Sequence, residues 1–229
     1  MGRLITVLLL MIVVGAPYAV YRQWFSVPPE WNPWAPLDIK ASPNFLTPLK
    51  VWRLQDDRAL CNQALGTSDL KYSTVKDSIP ASGCPIENAV RITGADVSFS
   101  SSFVATCPLA TAYAMFETHD LQAIAQSIYG QRVARIDHFG SFSCRNIANS
   151  ARRSQHATAN AFDIAGFRLE NGKRITLARD WNGSADDARF LREVKRAACK
   201  RFNTVLGPDY NRAHHDHFHL DMGPYRICR

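Results

Sequence analysis

Four of the chain's seven histidines fall within six consecutive residues, in the run His214-His215-Asp216-His217-Phe218-His219-Leu220-Asp221. A buried imidazole needs hydrogen-bond partners, so histidines crowded among acids make poor core material. They suit a metal site, because neutral imidazole and carboxylate are ordinary zinc ligands. If residues 217–220 form a strand, His217 and His219 point to the same side. Upstream, Ser154-Gln155-His156 leads, seven residues beyond the histidine, to Asp163 at the head of an apolar stretch. One or both of His217 and His219, together with His156 and Asp163, would supply a nitrogen and oxygen ligand set. Three protein ligands with one open position is the catalytic zinc arrangement, in which water is acidified toward neutral pH. The competing reading is adventitious metal binding by a histidine-rich tail. His119 and His138 stand alone and read as structural or surface. His214 and His215 have no fixed role, though either could support a ligand from behind, and Asp221 reads as a turn or strand-end residue.

Those residues must be positioned by one domain, since 229 residues with 46% hydrophobic content hold one well-formed core and not clearly two. Val51 to Leu65 reads as helix, Asp69 to Gly83 as loop with short strands, and Ala89 to Phe103 as strand by its alternation. Thr106-Cys107-Pro108 is a capping residue followed by a first-turn proline. It opens a helix to Phe116 with a second segment through Tyr129, stopped by Gly130. Val133 to Ile136 reads as a strand leading to Gly140. Ser184 with Asp187 resembles a capping box before an amphipathic helix that gathers Phe190, Leu191, Val194, Ala197, Ala198 and Phe202 on one face. Strands flank it at Ala161–Phe167, Arg174–Leu177, Thr204–Leu206 and His217–Leu220. Strands and helices mixed without regular alternation define an α+β fold. Strict alternation would turn Asp216 away from His217 and His219. A catalytic role for it therefore needs the strand to begin after it, and the alternative is a carboxylate that fixes a histidine tautomer.

Residues Leu4 to Val20 carry no charge, with Arg3 before them and Arg22 after. Length and the preceding positive charge favour an uncleaved single-pass anchor over residues 1–22 with its N-terminus inside; a cleaved secretory signal is the alternative. Either reading exports the rest. Residues 23–49 are rich in proline and tryptophan and read as a juxtamembrane linker, or as a segment wrapped over the domain that follows at 50–229. Six cysteines with no CxxC pair fit three disulfides in an oxidising compartment. Cys61–Cys84 is a plausible local bridge, and Cys228 is placed to tie down the C-terminus. The net charge of +7 suits an anionic neighbourhood. No lysine and arginine run is interleaved with aromatics, so nucleic acid is not an expected partner.

The pattern Ser-x-His-x6-Asp followed by Asp-His-x-His resembles the zinc D-Ala-D-Ala carboxypeptidases and murein endopeptidases, in the superfamily that includes lysostaphin-type enzymes. More closely, residues from about 50 to 229 look like the bacterial extensin-like C-terminal domain family. That match rests on Gly140-Ser141-Phe142-Ser143-Cys144-Arg145, Ser154 to Phe167, Asp180-Trp181, and Leu206 to Asn211 running into His215-Asp216-His217-Phe218-His219. The resemblance implies a small antiparallel sheet flanked by helices, of the D-Ala-D-Ala carboxypeptidase (hedgehog/DD-peptidase) type, behind one N-terminal membrane helix. It implies one Zn2+ per chain on His156, Asp163 and His219, with Asp216 as general base and His217 beside the metal. Arg145 and Ser154 would bind substrate, Ser154 alternatively supporting the His156 loop. The implied activity is hydrolysis of peptidoglycan or its stem peptides, by a protein of the inner membrane whose domain faces the periplasm. A silent wall-binding domain is the first alternative, and a metal-dependent phosphoesterase a more distant one. Ala159 departs from the pattern, standing where the family has glycine, so a backbone position that favours positive φ carries a methyl group.

Overall fold

The computed structural model describes residues 2–22, 24–81 and 83–229. The side chain of Arg3, on which the inward orientation of the N-terminus was argued, lies outside the described residues. Helix α1 (Gly2–Tyr21) is long and apolar enough to cross a membrane, as a signal sequence also would be, and only 6% of its apolar window is buried. It is therefore not a core helix of the domain.

The body is α+β. Helices α2 (Thr47–Arg53) and α3 (Arg58–Leu65) replace the single helix expected over 51–65. Asp57 explains the break: its carboxylate accepts the Leu60 N–H and caps a new helix. The stretch 89–103 likewise divides, into β2 (Ala89–Gly94), β3 (Ser98–Phe99) and the start of β4 (Phe103–Thr106), because Gly94 and Asp96 supply turn chemistry. With β1 (Lys71–Thr74), strands β2 and β4 make a three-stranded antiparallel sheet. Next, α4 (Cys107–Phe116) begins at Thr106 with Pro108 in its first turn, passes through one π-helical turn and continues as α5 (Gln122–Tyr129). Gly130 ends it in the left-handed conformation, as the sequence predicts.

The larger sheet contains β5 (Val133–Gly140), β6 (Ala161–Leu169), β7 (Arg174–Thr176), β8 (Thr204–Leu206), β9 (Phe218–Asp221) and β10 (Ile227–Cys228), together with β3. Its order is β10-β8-β9-β6-β5-β3, with β7 paired to β6. The four central strands are antiparallel, and the edge pairs β10·β8 and β3·β5 are parallel. A short helix α6 (Leu177–Asp180) precedes α7 (Ala185–Arg201), whose cap is the predicted one: Ser184 Oγ accepts the Asp187 N–H at 3.3 Å. Phe190, Leu191, Val194, Ala197 and Ala198 of α7 join Phe162, Ile164, Phe167, Phe218 and Leu220 of the sheet in one core. Gly207 lies tight against that core, since a Cβ there would come within 3.0 Å of the Phe218 ring. Leu37 and Ile39, in the proline- and tryptophan-rich segment, belong to the same core.

All six cysteines are paired, as Cys61–Cys107, Cys84–Cys144 and Cys199–Cys228. The expected Cys61–Cys84 bridge is not formed. The N-terminus of α4 carries Cys107 to α3, and Cys84 is drawn instead to the segment after β5. Cys228 does hold the C-terminus, against the end of α7. Cys84–Cys144 closes a separation of 60 residues. Loop-closure entropy makes its removal in Cys84→Ala/Cys144→Ala cost about 4 kcal/mol. Urea unfolding of the double variant should show that loss as a lower midpoint, with a steeper slope as the freed unfolded chain exposes more surface.

Candidate metal centre

The centre is built on the register of two antiparallel strands. In the β6·β9 ladder Asp163 lies directly opposite His219, and on its other side Asp163 faces Gly140 of β5. Residues directly opposite in such a pair hold their Cβ atoms about 5 Å apart. Alternation sends Phe162, Ile164, Phe218 and Leu220 into the core and leaves Asp163, His219 and Asp221 on the other face.

His156 reaches the same place from outside the sheet. It occupies a 3-10 turn, Gln155–Thr158, capped by Ser154, whose Oγ accepts the His156 N–H at 3.3 Å. Ala159 then turns the chain into β6 with φ +55°, in the left-handed region where the sequence pattern calls for glycine. Its methyl is fully buried with Ala89 and Val104, and that packing offsets the backbone cost. Thr106 Oγ1 donates to Asn160 Oδ1 at 2.6 Å and the Thr106 N–H to the Ala159 carbonyl at 2.9 Å, fastening this turn to the start of α4.

Three donor atoms converge. His156 Nε2 lies 3.1 Å from His219 Nδ1 and 3.2 Å from Asp163 Oδ2, and His219 Nδ1 lies 3.0 Å from Asp163 Oδ1. The far nitrogen of each histidine is also engaged: His156 Nδ1 with the Ser141 carbonyl at 3.1 Å, and His219 Nε2 with Asp221 Oδ2 at 3.0 Å. Both partners only accept, so each fixes a proton on the far nitrogen and turns the other toward the centre. His156, Asp163 and His219 thus form a group able to hold a metal ion.

The electrostatics of the protein alone agree. Burial opposes charge on His219, but the Asp163 and Asp221 carboxylates overcome it and raise its pKa to about 9. Burial likewise works against the Asp163 anion, and hydrogen bonds from His156 and His219 hold its pKa well below the usual carboxylate range. Without a metal, a proton on His219 balances the buried carboxylates.

The remaining predicted residues sit around this group. His217 precedes β9, with Nε2 at 3.8 Å from Asp163 Oδ1 and Nδ1 donating to Asp216 Oδ1 at 2.9 Å. Asp216 lies in the turn before β9, so strand alternation places no constraint on it. Arg145 is exposed on the segment that follows β5, and its backbone carbonyl accepts the Ser154 N–H at 3.2 Å. Ser154 is buried and supports the His156 turn. His214 packs its ring 5.2 Å from His217 and 5.9 Å from His219. Burial and then the positive potential of those two rings lower its pKa to about 4. His215 is exposed. His138 packs among Phe99, Phe103 and Phe162, and His119 meets the Ile39 carbonyl at 2.7 Å; both serve the fold. Two groups escaped the sequence reading. Asp221 was read as a strand-end residue, yet its spacing of two from His219 on one strand was a usable signal. The Ser141 carbonyl is backbone and leaves no mark in side-chain chemistry.

Fold and site together define an α+β domain with a His/Asp/His centre on an antiparallel sheet, behind an apolar N-terminal helix. The chain belongs to the family described as extensin-like protein C-terminus, whose profile matches residues 59–229. No curated protein and no solved structure matches it.

The raised pKa of His219 carries a sign. Its contribution to the stability of the metal-free protein is full below the ordinary value of 6.5 and is lost as the pH rises through about 9. The metal-free unfolding midpoint should therefore decline between those values. The imidazole resonances of His219 should titrate near the upper one, and at lower pH in Asp221→Asn.

Proposed function

We propose that the chain is a zinc-dependent hydrolase of the cell envelope that acts on peptidoglycan peptides, with the architecture of the D-Ala-D-Ala carboxypeptidase type. The observation that carries this reading is the convergence of His156, Asp163 and His219 with both imidazole tautomers fixed from behind. The fit to zinc is close. Ligand bonds of 2.0–2.1 Å in a tetrahedral shell set neighbouring donor atoms about 3.3 Å apart; here the two imidazole nitrogens are 3.1 Å apart, and each lies 3.0–3.2 Å from one oxygen of the Asp163 carboxylate. Two nitrogens and one carboxylate leave an open position, as catalytic sites do.

His156 Nε2, Asp163 and His219 Nδ1 hold one Zn2+ per chain in this reading. Bound there, the metal supplies Lewis acidity that acidifies a water and polarises a peptide carbonyl. The chain's own residues do the rest. Asp216 and His217 act as a pair, the carboxylate fixing a proton on Nδ1 so that Nε2 faces the centre as an acceptor. The pair takes the proton of the attacking water and returns it to the leaving amine as the C–N bond breaks. Exposed Arg145 offers its planar guanidinium to a peptide carboxylate. Three disulfides and the α1 helix support a location at the inner membrane with the domain in the oxidising periplasm.

The test uses the full chain in detergent. One zinc per chain should be found by mass spectrometry, and none in His156→Ala. Digestion of purified sacculi should release products cut at an amide bond. Asp216→Ala and His217→Ala should each slow that release by about 10²–10⁴-fold, and the double variant should lose no more than the worse single one. Release by Asp216→Ala at the wild-type rate would remove Asp216 from the mechanism. Zinc retained without hydrolysis points to a silent wall-binding domain, and cleavage of phosphodiesters alone to a phosphoesterase. The carboxylate that holds His219 Nε2 has its own readout: Asp221→Asn should weaken zinc about 10–100-fold in a chelator competition.

A further inference from the structure

The segment between α1 and α2 is gripped by the domain. Lys50 Nζ donates to the Pro29 carbonyl at 2.6 Å, Arg53 to the Pro33 carbonyl at 2.6 Å, and Asn44 Nδ2 to the Glu30 carbonyl at 2.8 Å. Further on, the Ile39 N–H donates to Thr67 Oγ1 at 2.8 Å, and the Ile39 side chain is fully buried. Pro29 stands only eight residues beyond Tyr21, the end of α1. Even fully extended, that stretch reaches about 28 Å. The domain is therefore on a short leash from the end of α1.

The surface beside that leash carries large side chains in water. Phe45 is 76% exposed and Trp52, on α2, 64%, with Trp24, Trp31 and Leu49 exposed as well. Two ring contacts lie on this surface: Trp34 meets Tyr21, the last residue of α1, at 5.7 Å, and Trp31 meets Phe45 at 5.8 Å. Next to Trp52 a groove of about 450 Å³ runs between α2 and the C-terminal end of α7, lined also by Lys200 and Arg226. Neither cation has an acidic partner among the described residues. An exposed aromatic strip flanked by unpaired cations is the composition of a bilayer headgroup surface, where amphipathic rings and basic side chains collect. An interface for another soluble protein would have no reason to adjoin a membrane helix.

We propose that this face docks on the anionic surface of the bilayer that α1 enters, with Trp31, Phe45 and Trp52 at headgroup level and Lys200 and Arg226 against lipid phosphates. The proposal rests on α1 being retained in a membrane, and it adds that the domain lies on that membrane in one fixed orientation. The full chain, labelled with fluorotryptophan, is placed in phosphatidylglycerol-containing nanodiscs that carry a paramagnetic headgroup lipid. Single Trp→Phe variants assign each fluorine resonance. Trp24 reports insertion of α1, and Trp181, buried in the domain and outside the proposed face, is the control. The expected result is relaxation of Trp24, Trp31 and Trp52 several-fold faster than Trp181, with Lys200→Glu/Arg226→Glu cutting the enhancement at Trp52 at least twofold. Fast relaxation at Trp24 with Trp52 no faster than Trp181 overturns the docking. So does loss of the Trp52 effect in particles that hold two chains, which would make the strip an interface between copies. An enhancement at Trp52 unchanged by charge reversal overturns the phosphate contacts.

Discussion

The structure turns on the buried carboxylate of Asp163. An anion removed from water must be paired at close range, or its desolvation is not recovered. Here two imidazoles close on it from different parts of the chain, at 3.0 and 3.2 Å. The balancing charge has two sources. A proton on His219 provides it in the protein alone, which is why that pKa rises to about 9 while that of Asp163 falls. A divalent cation at the same point would displace the proton and satisfy His156 as well. Proton and metal compete for one electrostatic vacancy, so metal affinity must rise with pH until His219 is fully deprotonated.

The rest of the fold reads as the means of keeping that geometry. A slip of one residue in the β6·β9 register would exchange the faces of both strands. Phe218 and Phe162 would be driven into water while the ligands entered the core. The apolar alternation of these strands therefore holds the ligands in place as well as the core, and α7 covers the core face with its own apolar stripe. Asp221 gains its role by the same rule, since two residues along a strand return to the same face.

What the sequence disclosed and what it concealed divide along physical lines. Periodic patterns and caps were legible: α7 from Ser184 and the stop at Gly130; so were the strands β6, β8 and β9 around α7. The three donor residues were legible because strand spacing and the His156 to Asp163 interval bear directly on which side chains can meet. Interruptions were harder, since the break at Asp57 and the division after Gly94 depend on local hydrogen bonds that compete with a longer element. The disulfides show the limit most clearly. Nearness in sequence suggested Cys61–Cys84, but pairing follows the tertiary approach of α4 to α3, which no local pattern records.

The three segments that build the centre differ in how they are held, and the difference explains where the chain concentrates its fastening. Asp163 and His219 sit on paired strands, so backbone ladders fix them. His156 sits on an irregular stretch between β5 and β6 that no long ladder supports. That stretch collects the separate restraints: the Cys84–Cys144 bridge, the Ser154 cap, the Ser143 N–H to the His156 carbonyl at 3.0 Å, the Ser141 hydroxyl on the Val104 carbonyl, and the Thr106–Asn160 bond. Ala159 adds a left-handed turn, held by its buried methyl and by the Thr106 N–H on its carbonyl. A ligand on a loop needs its entropy removed before binding, or the metal must supply that ordering itself. Here the loop is ordered in advance by covalent and capping contacts, and of its two left-handed non-glycine residues, Asn149 and Ala159, the latter lies three residues from the ligand it serves.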